Sequence, residues 1–267
     1  RAVAALEGTD ASLAYASGMA ALTAALLGAG ARAGTHVLAA ADVYGATYAL
    51  LTRTLADLGV TTSFVDSNDP AVVERALAEH GSVALLCETI SNPLMKVADL
   101  ASLTQLAHHS GAAMVVDNTF ASPCLVQPAQ LGADYVVHSV TKYLAGHGDV
   151  LAGVVCCARS RADGLYERQK LLGANLGPDQ AWLALRGLKT LVIRVRQQSA
   201  NALQVARWLA QQPRVARVNY PGLPTHPQHD LAARQFGTRG YGGMLSFDLR
   251  DAGRAEVFRF FEALRLV

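Results

Sequence analysis

With 267 residues, 51% of them hydrophobic and only 16% charged, the chain is long enough for one large domain, or a large domain with a smaller companion, and too apolar to be disordered. Its formal net charge of +2 comes from scattered basic and acidic side chains, which excludes the electrostatic footprint of a nucleic-acid binder or of a protein held on an anionic membrane. The densest basic cluster, Arg186, Lys189, Arg194 and Arg196, is read as the solvated face of a helix.

Residues 11–31 carry no charge and must be weighed as a membrane span. They are rich in Ala, Ser, Thr and Gly, with interruptions at Gly18, Gly28 and Gly30, and a strand, turn and helix inside a core fits them better. Short apolar runs follow at 36–40, 62–66, 83–88, 112–118, 135–140 and 153–157. Like 12–17, most are apolar throughout rather than alternating, the mark of strands covered on both faces. Helical patterns separate them: "DPAVVERALAEHG" opens on Asp69 and Pro70, and "DLASLTQLAHHSG" opens on Asp99 and stops at Gly111, with caps at the start and glycine at the end. This order predicts an α/β fold with a mostly parallel sheet.

From Asp179 to about Gln211 one long helical pattern runs on, with a bend expected at Gly187. It links a large domain over 1–192 to a smaller C-terminal α+β domain over 193–267. That second domain reads as incomplete, because "EVFRFFEALRLV" ends in mid-pattern. Cys87, Cys124, Cys156 and Cys157 show no framework spacing, and the adjacent pair is expected to face opposite sides of a strand. They are read as reduced core thiols of a cytoplasmic protein. "GAGARAG" at 28–34 has the wrong spacing for a dinucleotide loop. His108, His109, His226 and His229 are read as helix-end and Pro-loop surface residues, and no metal is expected.

The chemistry centres on "YVVHSVTKYLAGHGD", where Lys142 leaves an apolar run. Lysine is seldom buried without a partner, so either the run ends at the surface there or Lys142 is not an ordinary ammonium; a buried lysine that is neutral or bonded to a carbonyl as a Schiff base is tolerated, and such lysines are catalytic nucleophiles. Ser139 and Thr141, two apart and so on one side of an extended chain, offer hydroxyls to an anion. In "YASGMAAL" a strand runs directly into a helix at Gly18 and Met19, whose free N–H groups form an anion site, a weak signal alone because tight turns use glycine anyway. Asp117 ends "AMVVD" at a strand's carboxyl end, where open α/β sheets bind ligands; taken alone it reads more readily as a helix cap or loop carboxylate. A phosphate site, a carboxylate and a Schiff-base lysine together describe pyridoxal 5'-phosphate, PLP.

The chain resembles the Cys/Met-metabolism family of PLP enzymes, which includes methionine gamma-lyase, cystathionine gamma-lyase, cystathionine gamma-synthase and homoserine sulfhydrylases. The resemblance runs through "YASGMAA", "DVYGATY", "ETISNPLMKVADL", "VVDNTFASP", "HSVTKYLAGHGDVLAG", "RGLKTL" and "YPGLPTHPQH". It implies a large domain of the aspartate-aminotransferase-like fold, fold type I, in a homotetramer built from dimers with shared active sites. It also implies residue roles: Lys142 forms the Schiff base and then shuttles protons, Asp117 pairs with the pyridine nitrogen, and Tyr44 stacks on the ring and is a candidate acid for the departing group. Gly18, Met19, Ser139 and Thr141 hold the phosphate, Asn92 contacts the phenolic oxygen, and Thr119 is weighed for the ring's other face.

Two parts of the family pattern are missing from this sequence: an N-terminal arm whose Tyr and Arg reach a neighbour's phosphate, and a C-terminal segment with the arginine for the substrate carboxylate. The numbered chain is therefore expected to be the ordered part of a longer protein. "KYLAGHGD" and "YPGLPTHPQH" look closest to the gamma-lyases, and elimination from a sulfur amino acid, methionine or cystathionine, is the expected reaction. Ala46 stands where methionine gamma-lyases usually carry a cysteine, so gamma-replacement by a synthase or sulfhydrylase stays open, as does the remoter alternative of a catalytically inactive paralogue.

Overall fold

The computed structural model describes residues 1–265. In chain order the elements are α1 (Ala2–Glu7), β1 (Ala11–Tyr15), α2 (Gly18–Gly28), β2 (His36–Ala40), α3 (Gly45–Ala49), a π-turn (Leu50–Thr54) leading into α4 (Leu55–Asp57), β3 (Thr61–Val65), α5 (Pro70–His80), β4 (Ala84–Glu88), α6 (Leu100–His109), β5 (Ala113–Asp117), α7 (Ser122–Leu125), β6 (Tyr135–Ser139) and β7 (Gly153–Cys157). There follow α8 (Arg159–Leu172), α9 (Pro178–Leu188), α10 (Leu191–Leu209), β8 (Val215–Asn219), α11 (His229–Phe236), β9 (Ser246–Leu249) and α12 (Arg254–Glu262).

Each predicted apolar run becomes a strand of one 7-stranded sheet, ordered β1-β7-β6-β5-β4-β2-β3. Strands β3, β2, β4, β5 and β6 are mutually parallel, and β7 is antiparallel to both β6 and β1. This is the largely parallel α/β sheet of fold type I. Side-chain alternation divides the strands between two cores: Leu38, Leu85, Val116, Val136 and Cys156 pack on one face, and Val37, Leu86, Val115, Val137 and Cys157 on the other. Cys156 and Cys157 thus face opposite ways as expected. All four cysteines are free thiols, but Cys124 is only half-buried, a correction to its reading as a core residue.

Local signals set the helix ends. Asp69 accepts from the Ala71 and Val72 N–H groups at 3.1 and 3.2 Å, and Gly81 closes α5 at φ 56°, a left-handed position that glycine adopts without strain. Asp99 accepts from Ser102 N–H at 3.1 Å. The uncharged stretch 11–31 becomes β1 and α2, and among the described residues no helix is long and apolar enough to cross a membrane.

The long pattern after Asp179 is two helices, α9 and α10, parted at Lys189 and Thr190 rather than bent at Gly187. Gly187 stays helical because a Cβ there would lie 2.1 Å from Ala145 O; its missing side chain permits a close approach, not a bend. Arg194 departs from the solvated-face reading. Its guanidinium donates to Tyr143 O and Gly187 O, both at 2.9 Å, which ties α10 to the turn after Lys142. Beyond α10, antiparallel β8 and β9 cover a small core of Ala202, Ala206, Leu209, Val218, Tyr220 and Leu223. His226 also departs from expectation: it is buried at 5% exposure, and burial pushes its imidazole down to about 4.

Candidate cofactor site

Because β4, β5 and β6 are parallel, their carboxyl ends share one edge of the sheet. Glu88 stands directly opposite Asp117, and Asp117 opposite Val137, two residues before Ser139. The N-terminus of α2 comes to the same edge by way of two glycines. A Cβ on Gly18 would sit 2.8 Å from the Ser139 Cβ and 3.0 Å from its Oγ, and one on Gly153 would sit 2.1 Å from Ser17 O. Ser17 Oγ accepts the Ala20 N–H at 3.1 Å. Gly18 and Met19 lie in the first turn, where N–H groups lack intrahelical acceptors and favour an anion.

An open cleft between these strand ends is lined by Tyr44, Glu88, Ile90, Asn92, Asp117, Thr119, Phe120 and Ser139. Tyr44 precedes α3 and donates its N–H to Glu88 Oε1 at 2.6 Å; the backbone of Asn92 bonds the same carboxyl group. Thr119 donates its N–H to Asp117 Oδ1 at 2.9 Å, and its Oγ1 accepts the Ser139 N–H at 2.8 Å. Thr119 therefore links the acid of β5 to the hydroxyl residue of β6.

Burial, then the neighbouring Asp117 charge, pushes Glu88 up to about 8. Burial likewise raises Asp117, opposed by the bonds from Thr119 and by the nearby His138. Two adjacent buried carboxyl groups disfavour a second negative charge unless a cation joins them. A protonated ring nitrogen supplies such a cation, and the bare Gly18 lets the N-terminus of α2, whose first-turn N–H groups favour an anion, approach the Ser139 hydroxyl. The residues present suit PLP.

Two premises from the sequence fail here. Lys142 is exposed: β6 stops at Ser139, and Lys142 sits in the following turn, its N–H donating to Ser139 O at 3.1 Å and its carbonyl accepting from Gly146 N–H at 2.8 Å. No burial has to be explained. Nor do Ser139 and Thr141 share one extended strand. The Thr141 hydroxyl donates to Ala152 O at 3.2 Å and accepts the Ala152 N–H at 3.0 Å. The cavity does gather Tyr44, Asn92, Asp117 and Ser139, and Gly18 meets Ser139. Glu88 escaped the sequence reading although the signal was present: like Asp117, it ends an apolar run.

A mostly parallel sheet with paired acids, a glycine-formed helix N-terminus and a lysine turn at its carboxyl edge suits the PLP-dependent enzymes of fold type I. The chain belongs to the family described as Cys/Met metabolism PLP-dependent enzyme, whose sequence profile matches residues 1–267; its cofactor is PLP. It is 45% identical to a "Probable cystathionine gamma-synthase" of Herpetosiphon aurantiacus over 95% of this chain and 78% of that protein. It is 41% identical to a cystathionine gamma-lyase of Bacillus subtilis over 95% of this chain and 66% of that one. The crystal structure of cystathionine gamma synthase from Xanthomonas oryzae pv. oryzae, in complex with aminoacrylate and cysteine, superposes with a TM-score of 0.94 at 38% identity, covering 99% of this chain and 67% of that chain. The chain thus spans only part of the length of the relatives it matches.

Proposed function

We propose that the chain carries the PLP site of a carbon–sulfur lyase that acts on methionine or cystathionine, converting substrate and water by α,γ-elimination to a 2-oxo acid, ammonia and a thiol. The supporting observation is the exposed Lys142 turn, bonded to the end of β6 next to the strand that bears Asp117. Bound PLP supplies an electron sink for charge developing at the substrate α-carbon. Asp117, its Oδ1 fixed by the Thr119 N–H, accepts the hydrogen bond of the ring nitrogen. The first-turn N–H groups of Gly18 and Met19 and the Ser139 hydroxyl bind the phosphate. Thr141 joins them by turning its hydroxyl hydrogen from the Ala152 carbonyl to the anion, and Asn92 contacts the phenolic oxygen. Tyr44 would cover a ring face and give its hydroxyl proton to the departing sulfur, while the Lys142 Nζ would take the proton from the substrate α-carbon and then one from the β-carbon, whose C–H electron pair replaces the broken γ carbon–sulfur bond. Exposed Leu171, Leu172, Trp182, Leu185 and Ile193 support assembly as a homotetramer, which light scattering tests as a mass of four chains.

A second reading is γ-replacement, in which an incoming thiol takes the γ position. It is supported by the cystathionine gamma-synthase name of a 45% identical relative and by Ala46 beside the Tyr44 turn. Product analysis separates the two, using the full-length protein with PLP and methionine, cystathionine or an O-acylhomoserine, each with and without a thiol. Release of 2-oxobutanoate from methionine or cystathionine supports elimination. Thioether formation with no 2-oxobutanoate from any substrate sinks it.

A further inference from the structure

Behind the cavity lies a second polar cluster that the functional reading does not use. Glu7, Thr89 and Asn118 are 0% exposed and His138 is 1% exposed. By strand alternation His138 falls on the Val136 face of β6, opposite the face that carries Val137 and Asp117. Glu7 Oε1 accepts the Asn118 amide at 2.9 Å and lies 2.5 Å from His138 Nε2. One oxygen of Glu7 thus faces both the Asn118 amide and the His138 ring. Asn118 also donates to Val126 O at 3.0 Å and accepts from the Thr89 hydroxyl at 2.8 Å. Among the described residues, Glu7 Oε2 and His138 Nδ1 have no hydrogen-bond partner.

A buried carboxylate–imidazole pair is a poor device for stability, since desolvation offsets most of its attraction. Its placement suggests another use. Asn118 sits between Asp117 and Thr119, and His138 immediately precedes Ser139; each strand member of the cluster is the chain neighbour of a cavity residue. The backbone continues the tie, with Asn118 N–H donating to Val137 O at 2.8 Å and Thr89 N–H to Asp117 O at 3.0 Å.

We propose that Glu7, acting through Asn118 and His138, is a positioning residue that fixes Asp117 and Ser139 from behind the sheet for the PLP ring and phosphate. The proposal rests on the assignment of Asp117 and Ser139 to PLP. The proximity of His138 also favours the ionised form of Asp117, against the larger opposing effect of burial.

The test uses the full-length protein and reads the PLP dissociation constant together with the visible circular dichroism of bound PLP, which reports the ring's orientation. Glu7→Gln keeps the shape and one acceptor oxygen but removes the carboxylate charge between Asn118 and His138, and should weaken PLP binding about tenfold and change the visible band. His138→Gln should act in the same direction and serves if Glu7→Gln fails to fold. Ser82→Ala, which removes a buried bond to His36 Nδ1 at the amino end of β2, the opposite edge of the sheet, should lower Tm with PLP binding and band unchanged. If the foldable Glu7 and His138 variants behave like Ser82→Ala, the cluster is only structural and the proposal is overturned. Asp117→Asn, run alongside, tests the underlying assignment separately. A spectrum unchanged in that variant refutes the assignment, whereas a change there without one in the Glu7 and His138 variants refutes the positioning role alone.

Discussion

The seven-stranded and two-stranded sheets of this molecule bury their side chains very differently. In the large sheet β2 and β7 are buried at every position, because helices cover both faces. In the small sheet β8 is buried only at its end, and α12 beside it has no buried residue, while Phe258 and Phe261 are exposed. The large sheet can therefore hold a site at its edge through packing within this chain. The small sheet contributes one compact core and an apolar outer surface.

That contrast can be broken or sharpened by substitution. Leu38, 0% exposed in the core of β2, should lose about 2–5 kcal/mol on change to Ala, read by denaturant unfolding. Gly153→Ala comes next. Its Cβ would meet Ser17 O at 2.1 Å, an overpacking that should cost about 1–3 kcal/mol and, by displacing the start of α2, weaken PLP binding in a fluorescence titration.

A different kind of effect separates the site from its scaffold by pH. Glu88 is raised from an ordinary 4.5 to about 8, so between these values the folded protein without PLP retains a proton that the unfolded chain has released. Unfolding then releases that proton, and stability falls as pH rises through this window, most of it by about pH 8. In Glu88→Gln that part of the fall should vanish, read as Tm against pH before PLP is added; an unchanged slope would show that Glu88 is not held protonated. The smallest effect belongs to the outer surface, where Phe258→Ala should alter stability by less than about 0.5 kcal/mol. A cost comparable to Leu38→Ala would mean that α12 is packed as tightly as the large sheet.

Much of this was legible in the residues. The runs at 36–40 and 153–157 became β2 and β7 edge for edge, and Asp69 and Asp99 cap the helices they were expected to start. Asp117 and Ser139 reached one cavity. What misled was inference about environment. Lys142 looked buried because the apolar run before it does not reveal that β6 stops at Ser139. Gly187 looked like a hinge because a sequence does not show the Ala145 carbonyl against it. Arg194 looked solvated because its carbonyl partners at Tyr143 and Leu144 lie in a distant turn.

Short-range physics explains what the sequence by itself determined: side-chain periodicity and end caps act within a few residues, so strands, helices and fold class could be read directly. Tertiary structure alone decided the contacts that shape the site. Tyr44 N–H meets Glu88 across 44 residues, and Asn118 meets Glu7 across 111. Such pairs have no local signature, because polar groups embedded in apolar runs reveal their partners only when the sheet brings distant segments together and burial favours pairing between them.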